Sequence, residues 1–273
     1  MKIVPAICSF AVFCLTASTQ LCGQTLKVGR NVLWLDGKRA DILFRDSGDL
    51  DGDRRRESVF AIYPYRGSCA GIVVGRHIGR TWRFTASTDS GCSAELRTDV
   101  TDVNGDGRED IIARYYTGDG QRRCDIYALK RGSLVELGHF DDTLFCDLTG
   151  DGVPEALSLS AMSFMFAGDH WLTIYKWNGR GYTDVSRRFP KQYDAVIRDL
   201  KRTLYRLRYT NAYGTKNDPA SDPELFSDFY YYLGKAYEYR GLPDKARIQY
   251  AIAYRLKPDD EEKAKAFRRM WGK

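Results

Sequence analysis

Oxygen-bearing side chains recur with one spacing in three segments of this 273-residue sequence. When the leading Asp of each segment is position one, such side chains stand at positions one, three and five, and an acid follows at position nine. The sets are Asp49, Asp51, Asp53 and Glu57 in loop 1 (residues 49–57); Asp102, Asn104, Asp106 and Asp110 in loop 2 (102–110); and Asp147, Thr149, Asp151 and Glu155 in loop 3 (147–155). Alternating oxygen ligands on a tightly turned loop suit a hard cation. The spacing therefore predicts Ca²⁺ binding.

The main-chain carbonyl at position seven would complete each ligand set. This position is held by Arg55, Arg108 and Val153. The loops are not equivalent, because Arg54 replaces glycine at position six of loop 1, where a Cβ resists the bend. Thr149 offers only a neutral hydroxyl in loop 3. We therefore predict that loop 2 is the best site. The alternative for all three is an acidic turn held by side-chain hydrogen bonds without metal.

The EF-hand has a loop that begins in the same way, but it also requires a bidentate Glu at position twelve and a helix on each side. Position twelve is Phe60, Ala113 and Ser158 in the three segments. The residues that follow the loops, 59–63, 111–116 and 156–161, are short runs rich in apolar, β-branched or aromatic residues, which is typical of strands. The EF-hand interpretation is therefore rejected.

The pattern D-x-[DN]-x-D-G-x-x-[DE] with a strand after it resembles the FG-GAP or VCBS-type calcium-binding repeat of integrin-like β-propellers. The likeness covers roughly residues 30–190 and includes the hairpin-like segment IYKWNGRGYTDVS at 174–186. It implies a mainly β domain over residues 24–190, with one calcium loop in each blade. Three blades are too few for a closed propeller. We therefore expect a small or incomplete propeller, completed by the strand-like residues 25–45 or by self-association through exposed edges.

After Pro190 the apolar residues adopt helical spacing. They are Tyr193, Ile197, Leu200, Leu204 and Leu207. Residues 230–258 resemble a tetratricopeptide repeat, which matches at Tyr230, Leu233, Gly234, Tyr237, Ala246, Tyr250, Ala253 and Pro258. One such repeat cannot bury its faces alone, so we expect a helical domain over residues 191–273 that includes a final helix at 259–271. The resemblance implies a protein-binding scaffold. The alternative is that the helices only cap the β domain.

The N-terminus predicts export. Lys2 precedes an apolar run at residues 3–15 and small polar residues, so residues 1–23 are interpreted as a signal peptide, cleaved after Ser18 or near Gly23, of a secreted or periplasmic protein. The run is short for a membrane span. A lipid anchor at Cys22 is the weaker alternative, because Leu21 and Gln20 stand where a lipobox has small residues.

Removal of the signal leaves an even set of cysteines, which favours disulfides in an oxidising compartment. They are Cys69, Cys92, Cys124 and Cys146. Of the three possible connectivities we favour Cys69 with Cys92 and Cys124 with Cys146, since the two intervals are similar. Zinc is the rival interpretation, but the sequence has no C-x-x-C pair, and the three histidines His77, His139 and His170 are isolated along the chain.

Motifs of catalysis are missing from the sequence, which has no G-x-S-x-G, no H-E-x-x-H and no phosphate-binding glycine loop. The net charge of +6 is spread among acidic residues and does not indicate a nucleic-acid partner. We therefore predict a non-catalytic, exported, calcium-binding scaffold that binds a protein or a glycan through its helices or its loops. The alternative is a β-propeller enzyme, a lyase or hydrolase, with a central active site.

Overall fold

The computed structural model describes residues 25–35, 37–64, 70–89, 95–118, 120–161, 170–209 and 222–271. The chain is mainly β with a helical C-terminal region, which confirms the predicted fold class at that level. It divides into two compact units. Unit 1 runs to Asp142 and includes Gly150–Val153, while unit 2 contains Thr143–Thr149 and everything from Pro154 onward. The predicted signal peptide lies outside the described residues.

The first six strands of unit 1 form a closed antiparallel barrel, β1–β6. The strands are Thr25–Val28, Val32–Leu35, Lys38–Gly48, Glu57–Pro64, Gly71–Ile78 and Thr81–Asp89. Each strand pairs with the next along the chain, and pairing of Leu26 with Trp82 joins β1 to β6. Closure removes the exposed strand edges that would otherwise attract a partner. The sequence predicted a propeller blade here; the six strands close on themselves instead.

Alternating side chains of β4 pack into two different hydrophobic clusters, because neighbouring residues of a strand face opposite sides. Phe60 and Ile62 belong to a cluster with Leu26 and Leu33 of the barrel strands. Val59 and Ala61 belong to a second cluster, together with apolar residues of the following sheet. Burial on both sides explains why β4 is a continuous apolar run rather than an alternating one.

Four further strands continue unit 1 as an antiparallel meander. They are β7 (Arg97–Thr101), β8 (Asp110–Tyr116), β9 (Arg122–Lys130) and β10 (Ser133–Cys146), of which the last crosses the boundary between the units. A two-residue turn joins β9 to β10, and both of its residues, Arg131 and Gly132, have positive φ (53° and 77°). Two successive positive φ values are the signature of the hairpin turn that matches strand twist.

In its described part, unit 2 contains the end of β10, three further strands and four α-helices. The strands are β11 (Glu155–Ala161), β12 (His170–Trp177) and β13 (Tyr182–Asp184); the helices are α1 (Tyr193–Tyr209), α2 (Pro223–Tyr239), α3 (Pro243–Leu256) and α4 (Glu261–Trp271), preceded by the 3-10 turns Ser186–Arg188 and Pro190–Gln192. Asp222 caps α2 by accepting a hydrogen bond from Leu225 N at 3.1 Å. Among the helices that the structure describes, none combines the length and hydrophobicity needed to cross a bilayer.

Aromatic packing explains why the strands of unit 2 belong with the helices. The Trp171 ring on β12 lies 5.6 Å from the Tyr193 ring of α1 and 5.6 Å from the Tyr232 ring of α2, measured between centroids. Lys235 places its ammonium 4.5 Å from the centre of the same indole. The strands β11–β13 and the four helices therefore belong to one compact unit.

The two helices of the α2–α3 hairpin approach each other closely at Gly234. A Cβ added at Gly234 would lie 2.9 Å from two ring carbons of Tyr250. Gly241, with φ of 80°, makes the turn, and Pro243 begins α3. Any side chain at Gly234 would separate the two helices.

Candidate metal centre

The three loops adopt one backbone conformation. Positions four and six have left-handed φ in every loop, with values of 79°, 76° and 74° at position four and 67°, 80° and 82° at position six. The residues concerned are Gly52, Gly105 and Gly150 at position four and Arg54, Gly107 and Gly152 at position six. Arg54 therefore does not prevent the bend: it takes the left-handed conformation itself, at an energetic cost that glycine avoids.

Loop 2 shows the hydrogen bonds that hold this conformation. Both Asp102 carboxylate oxygens accept backbone bonds, from Gly105 N at 2.7 Å and from Gly107 N at 2.9 Å. Asn104 Oδ1 accepts from Asp106 N at 2.8 Å, and Asp106 Oδ1 accepts from Arg108 N at 2.9 Å. A carboxylate has about four acceptor sites, so these bonds leave lone pairs for a cation. The metal-free turn predicts the same bonds, so they do not separate the two interpretations.

Loop 1 repeats the pattern at the corresponding atoms. Asp49 accepts from Gly52 N at 2.9 Å and from Arg54 N at 2.8 Å. Asp51 accepts from Asp53 N at 3.1 Å. Because the same bonds form in both sequences, which share the acidic spacing and the glycine at position four, we attribute the loop conformation to these shared features.

The position-nine acids are buried and attach each loop to its following strand. Each accepts the backbone N–H of position two: Glu57 from Leu50 at 3.0 Å, Asp110 from Val103 at 3.2 Å and Glu155 from Leu148 at 2.7 Å. All three acids are at most 1% exposed. A carboxylate so deeply buried is costly unless a positive charge or further donors compensate it.

In loop 1 the compensating charge is Arg76 of β5. Its Nε lies 2.6 Å from Glu57 Oε1, its NH1 2.7 Å from Asp53 Oδ2 and its NH2 3.0 Å from Asp51 Oδ2. Carboxylate oxygens of Asp49, Asp51 and Glu57 lie within 4.8 Å of one another, close enough to share one cation. The guanidinium is bonded to two of these three carboxylates.

In loop 3 the compensating charge is Lys176 of β12. Its ammonium lies 2.6 Å from Glu155 Oε1 and 2.9 Å from Thr149 Oγ1. The lysine side chain is 15% exposed. Both partners are predicted metal ligands, so the ammonium is bonded to atoms that a calcium ion would use.

Loop 2 has no such charge within the described part of the chain: no Lys or Arg ion pair found there involves Asp102, Asp106 or Asp110. Asp110 Oδ1 accepts only a neutral bond, from Asn104 Nδ2 at 3.0 Å. Burial, together with the negative charges of Asp106 and Asp102, raises the pKa of Asp110 to about 7. Within the described residues this carboxyl therefore lies among acids, with no Lys or Arg paired to it.

Loops 1 and 2, together with residues 150–153, lie in a row within unit 1. A Cβ on Gly52 would lie 3.0 Å from Arg108 Nε, and a Cβ on Gly105 would lie 2.4 Å from Val153 Cγ2. In both places glycine at position four packs on position seven of the next loop. Asp49 N also donates to Glu109 Oε2 at 2.6 Å, which ties the loops together.

The predicted Cys124–Cys146 disulfide is wrong. Both residues are free thiols, the first buried and the second exposed. Cys124 lies opposite Phe140 in the β9–β10 pairing, whereas Cys146 lies farther along β10. A disulfide needs Cα atoms within about 7 Å. Cys69 and Cys92, the other predicted pair, lie outside the described residues.

Several polar residues outside the three loops have partners in the fold. Asp99 pairs with Arg114, and Asp142 pairs with Arg122 at 3.1 Å. His139 Nδ1 lies 2.5 Å from Asp125 Oδ1. Asp125 also accepts bonds from the hydroxyl groups of Tyr115 and Tyr127, each at 3.1 Å. These contacts depend on the register of β8, β9 and β10, which single-sequence patterns do not give.

No protein-family model matches this chain, and no curated protein sequence matches it.

Proposed function

We propose that the protein is a calcium-binding β-repeat scaffold and that loop 2 is its Ca²⁺ site. The loop offers side-chain oxygens from Asp102, Asn104, Asp106 and Asp110. The backbone carbonyl of Arg108 is the expected fifth ligand. The observation that carries the proposal is the buried Asp110 carboxyl, whose neighbours are acids and which has no cation among its described contacts. A divalent cation would compensate its charge and the charges of the two other acids.

The proposed role of calcium is structural. A cation held by positions one to nine would fix the loop against the start of β8, where Asp110 begins the strand. Extracellular modules bind Ca²⁺ with dissociation constants of about 0.1–1 mM. At several-fold excess over such a value, one occupied site adds about 1 kcal/mol to the free energy of unfolding. Calcium therefore orders a folded scaffold rather than taking part in a reaction.

The proposal also covers the type of the loops, the export of the protein and the role of its helices. We interpret the loops as FG-GAP/VCBS-type loops, since the positions of their acids and of their left-handed residues agree in all three. We propose, further, that residues 1–23 are a signal peptide and that the scaffold acts outside the cytoplasm, where millimolar calcium is available. The helix pair α2–α3 is proposed to act as a tetratricopeptide-like platform for a protein or glycan, with Gly234 allowing its close packing on Tyr250.

Thermal unfolding in calcium and in chelator tests the metal site. We expect calcium to raise the melting temperature of the wild-type chain and to leave that of Asp106→Ala unchanged, because Asp106 is the position-five ligand. Asp53→Ala is the matched control at position five of loop 1. It loses an ion pair to Arg76 but should keep the calcium shift. If chelator has no effect on the wild type, the proposed function is wrong.

A further inference from the structure

We infer that Arg76 and Lys176 are built-in cations that take the place of a metal ion in loops 1 and 3, so that loop 2 alone binds calcium. This inference rests on the proposed function of loop 2. It adds the stoichiometry of one ion per chain and assigns a role to two residues outside the repeated motif.

Strand register places these two residues at equivalent points of their repeats. Position ten of each loop pairs across the ladder with a residue of the next strand: Ser58 with Gly75, Ile111 with Tyr127, and Ala156 with Tyr175. Extending each ladder by one residue would set position nine opposite Arg76 in the first repeat, Ala128 in the second and Lys176 in the third, in agreement with the contacts of Arg76 with Glu57 and of Lys176 with Glu155. Residues directly opposite in an antiparallel pair project from the same face. At this point of the ladder the repeats therefore differ in whether the residue carries a cation or a methyl group.

Each cation suits the oxygen atoms around it. Loop 1 has four carboxylates, and a guanidinium with five donors in a planar fork bonds Asp51, Asp53 and Glu57 together. Loop 3 has Thr149 in place of one acid, and the compact ammonium of Lys176 bonds that hydroxyl and Glu155. The larger donor group accompanies the more acidic loop.

Shelter from solvent makes both charges effective competitors of a metal ion. The side chains of Arg76 and Lys176 are 20% and 15% exposed, and the carboxylates of Glu57 and Glu155 that they pair with are fully buried. Calcium would have to displace a bonded cation or remain beside it, and like charges repel strongly in a partly dry site. Ala128 is 5% exposed and uncharged, so loop 2 presents no such obstacle.

Calcium stoichiometry of the full chain, measured by isothermal titration calorimetry, tests the inference. We expect one ion per chain for the wild type and two for Arg76→Met or for Lys176→Met. The double variant Arg76→Met/Asp106→Ala should bind one ion, now in loop 1. Two or three ions bound by the wild type would overturn the inference and leave the proposed function standing. If Arg76→Met and Lys176→Met each still bind one ion per chain, the inference is likewise wrong and the proposed function stands.

Failure of the proposed function gives a different pattern. One case is that loop 2 binds no calcium while Arg76 and Lys176 still exclude calcium from loops 1 and 3. The wild type then binds no ion, and Arg76→Met binds one. If neither chain binds calcium, both ideas are wrong. Should Arg76→Met not fold, as judged by circular dichroism, the reverse substitution decides the matter. Ala128→Lys is expected to abolish binding in loop 2, whereas the uncharged Ala128→Met keeps it. Equal binding by these two variants would refute the inference.

Discussion

Replacement of Asp110 by asparagine should stabilise the calcium-free protein at alkaline pH and remove its response to calcium. The Asp110 carboxyl is 1% exposed, and burial raises its pKa from 3.8 to about 7. Each pKa unit corresponds to about 1.4 kcal/mol. At pH 8, where the carboxylate is ionised in both states, its burial therefore lowers the free energy of unfolding by about 4 kcal/mol.

The sign follows from proton binding. Because the pKa is higher in the folded chain, that chain retains a proton between about pH 4 and pH 7 that the unfolded chain has released. Its free energy of unfolding consequently falls as the pH rises through this window. Asparagine is uncharged throughout, but it has only one acceptor oxygen for the two donors, Val103 N and Asn104 Nδ2. That lost bond costs about 1 kcal/mol.

Thermal unfolding in chelator at pH 5 and pH 8 measures the effect. We expect the free energy of unfolding of Asp110→Asn to be about 3 kcal/mol higher than that of the wild type at pH 8. This difference is equivalent to about 6–12 °C in melting temperature. At pH 5 the advantage should shrink to under about 1 kcal/mol, because the wild-type carboxyl is then protonated. Added calcium should raise the melting temperature of the wild type alone. A variant less stable than the wild type at pH 8, or an advantage that does not change with pH, would refute the reasoning.

Three other substitutions test the packing and the loop geometry. Arg54→Gly should raise the free energy of unfolding by about 1 kcal/mol in urea, because Arg54 has φ of 67°; a loss of stability would show that its left-handed conformation is unstrained. Gly234→Ala should lower it by about 1–3 kcal/mol, since the new Cβ would lie 2.9 Å from the Tyr250 ring. Gly181→Ala, in open space, is the control expected to change little. Asp125→Asn should lower it by about 1–3 kcal/mol, because His139 and two tyrosine hydroxyls lose a charged acceptor; unchanged urea unfolding would show that the cluster contributes nothing.

The local structure of the loops followed from the sequence because it depends on residues close together in the chain. The strands predicted after the loops appear as β4, β8 and β11, each beginning at the position-nine acid. Helical spacing likewise predicted α1. In each case the evidence lies within about one element, where side-chain period and turn chemistry act directly.

Long-range pairing was not predictable from the same patterns. The barrel closes through β1 and β6, whose partners Leu26 and Trp82 are distant in the chain. Arg76 reaches loop 1 only because β5 pairs with β4 in one particular register, and a shift of one residue would turn its side chain to the opposite face. A signal was nevertheless present. A basic residue ends the second apolar run after loop 1 and after loop 3, at Arg76 and Lys176. Ala128 stands at the corresponding point after loop 2.

X-ray diffraction from crystals soaked in terbium, which substitutes for calcium, tests the central claim most directly. We expect one strong anomalous peak between the side chains of Asp102, Asn104, Asp106 and Asp110, and no peak beside Arg76 or Lys176. Absence of a peak at Asp106, or a peak of equal strength within loop 1, would contradict the account.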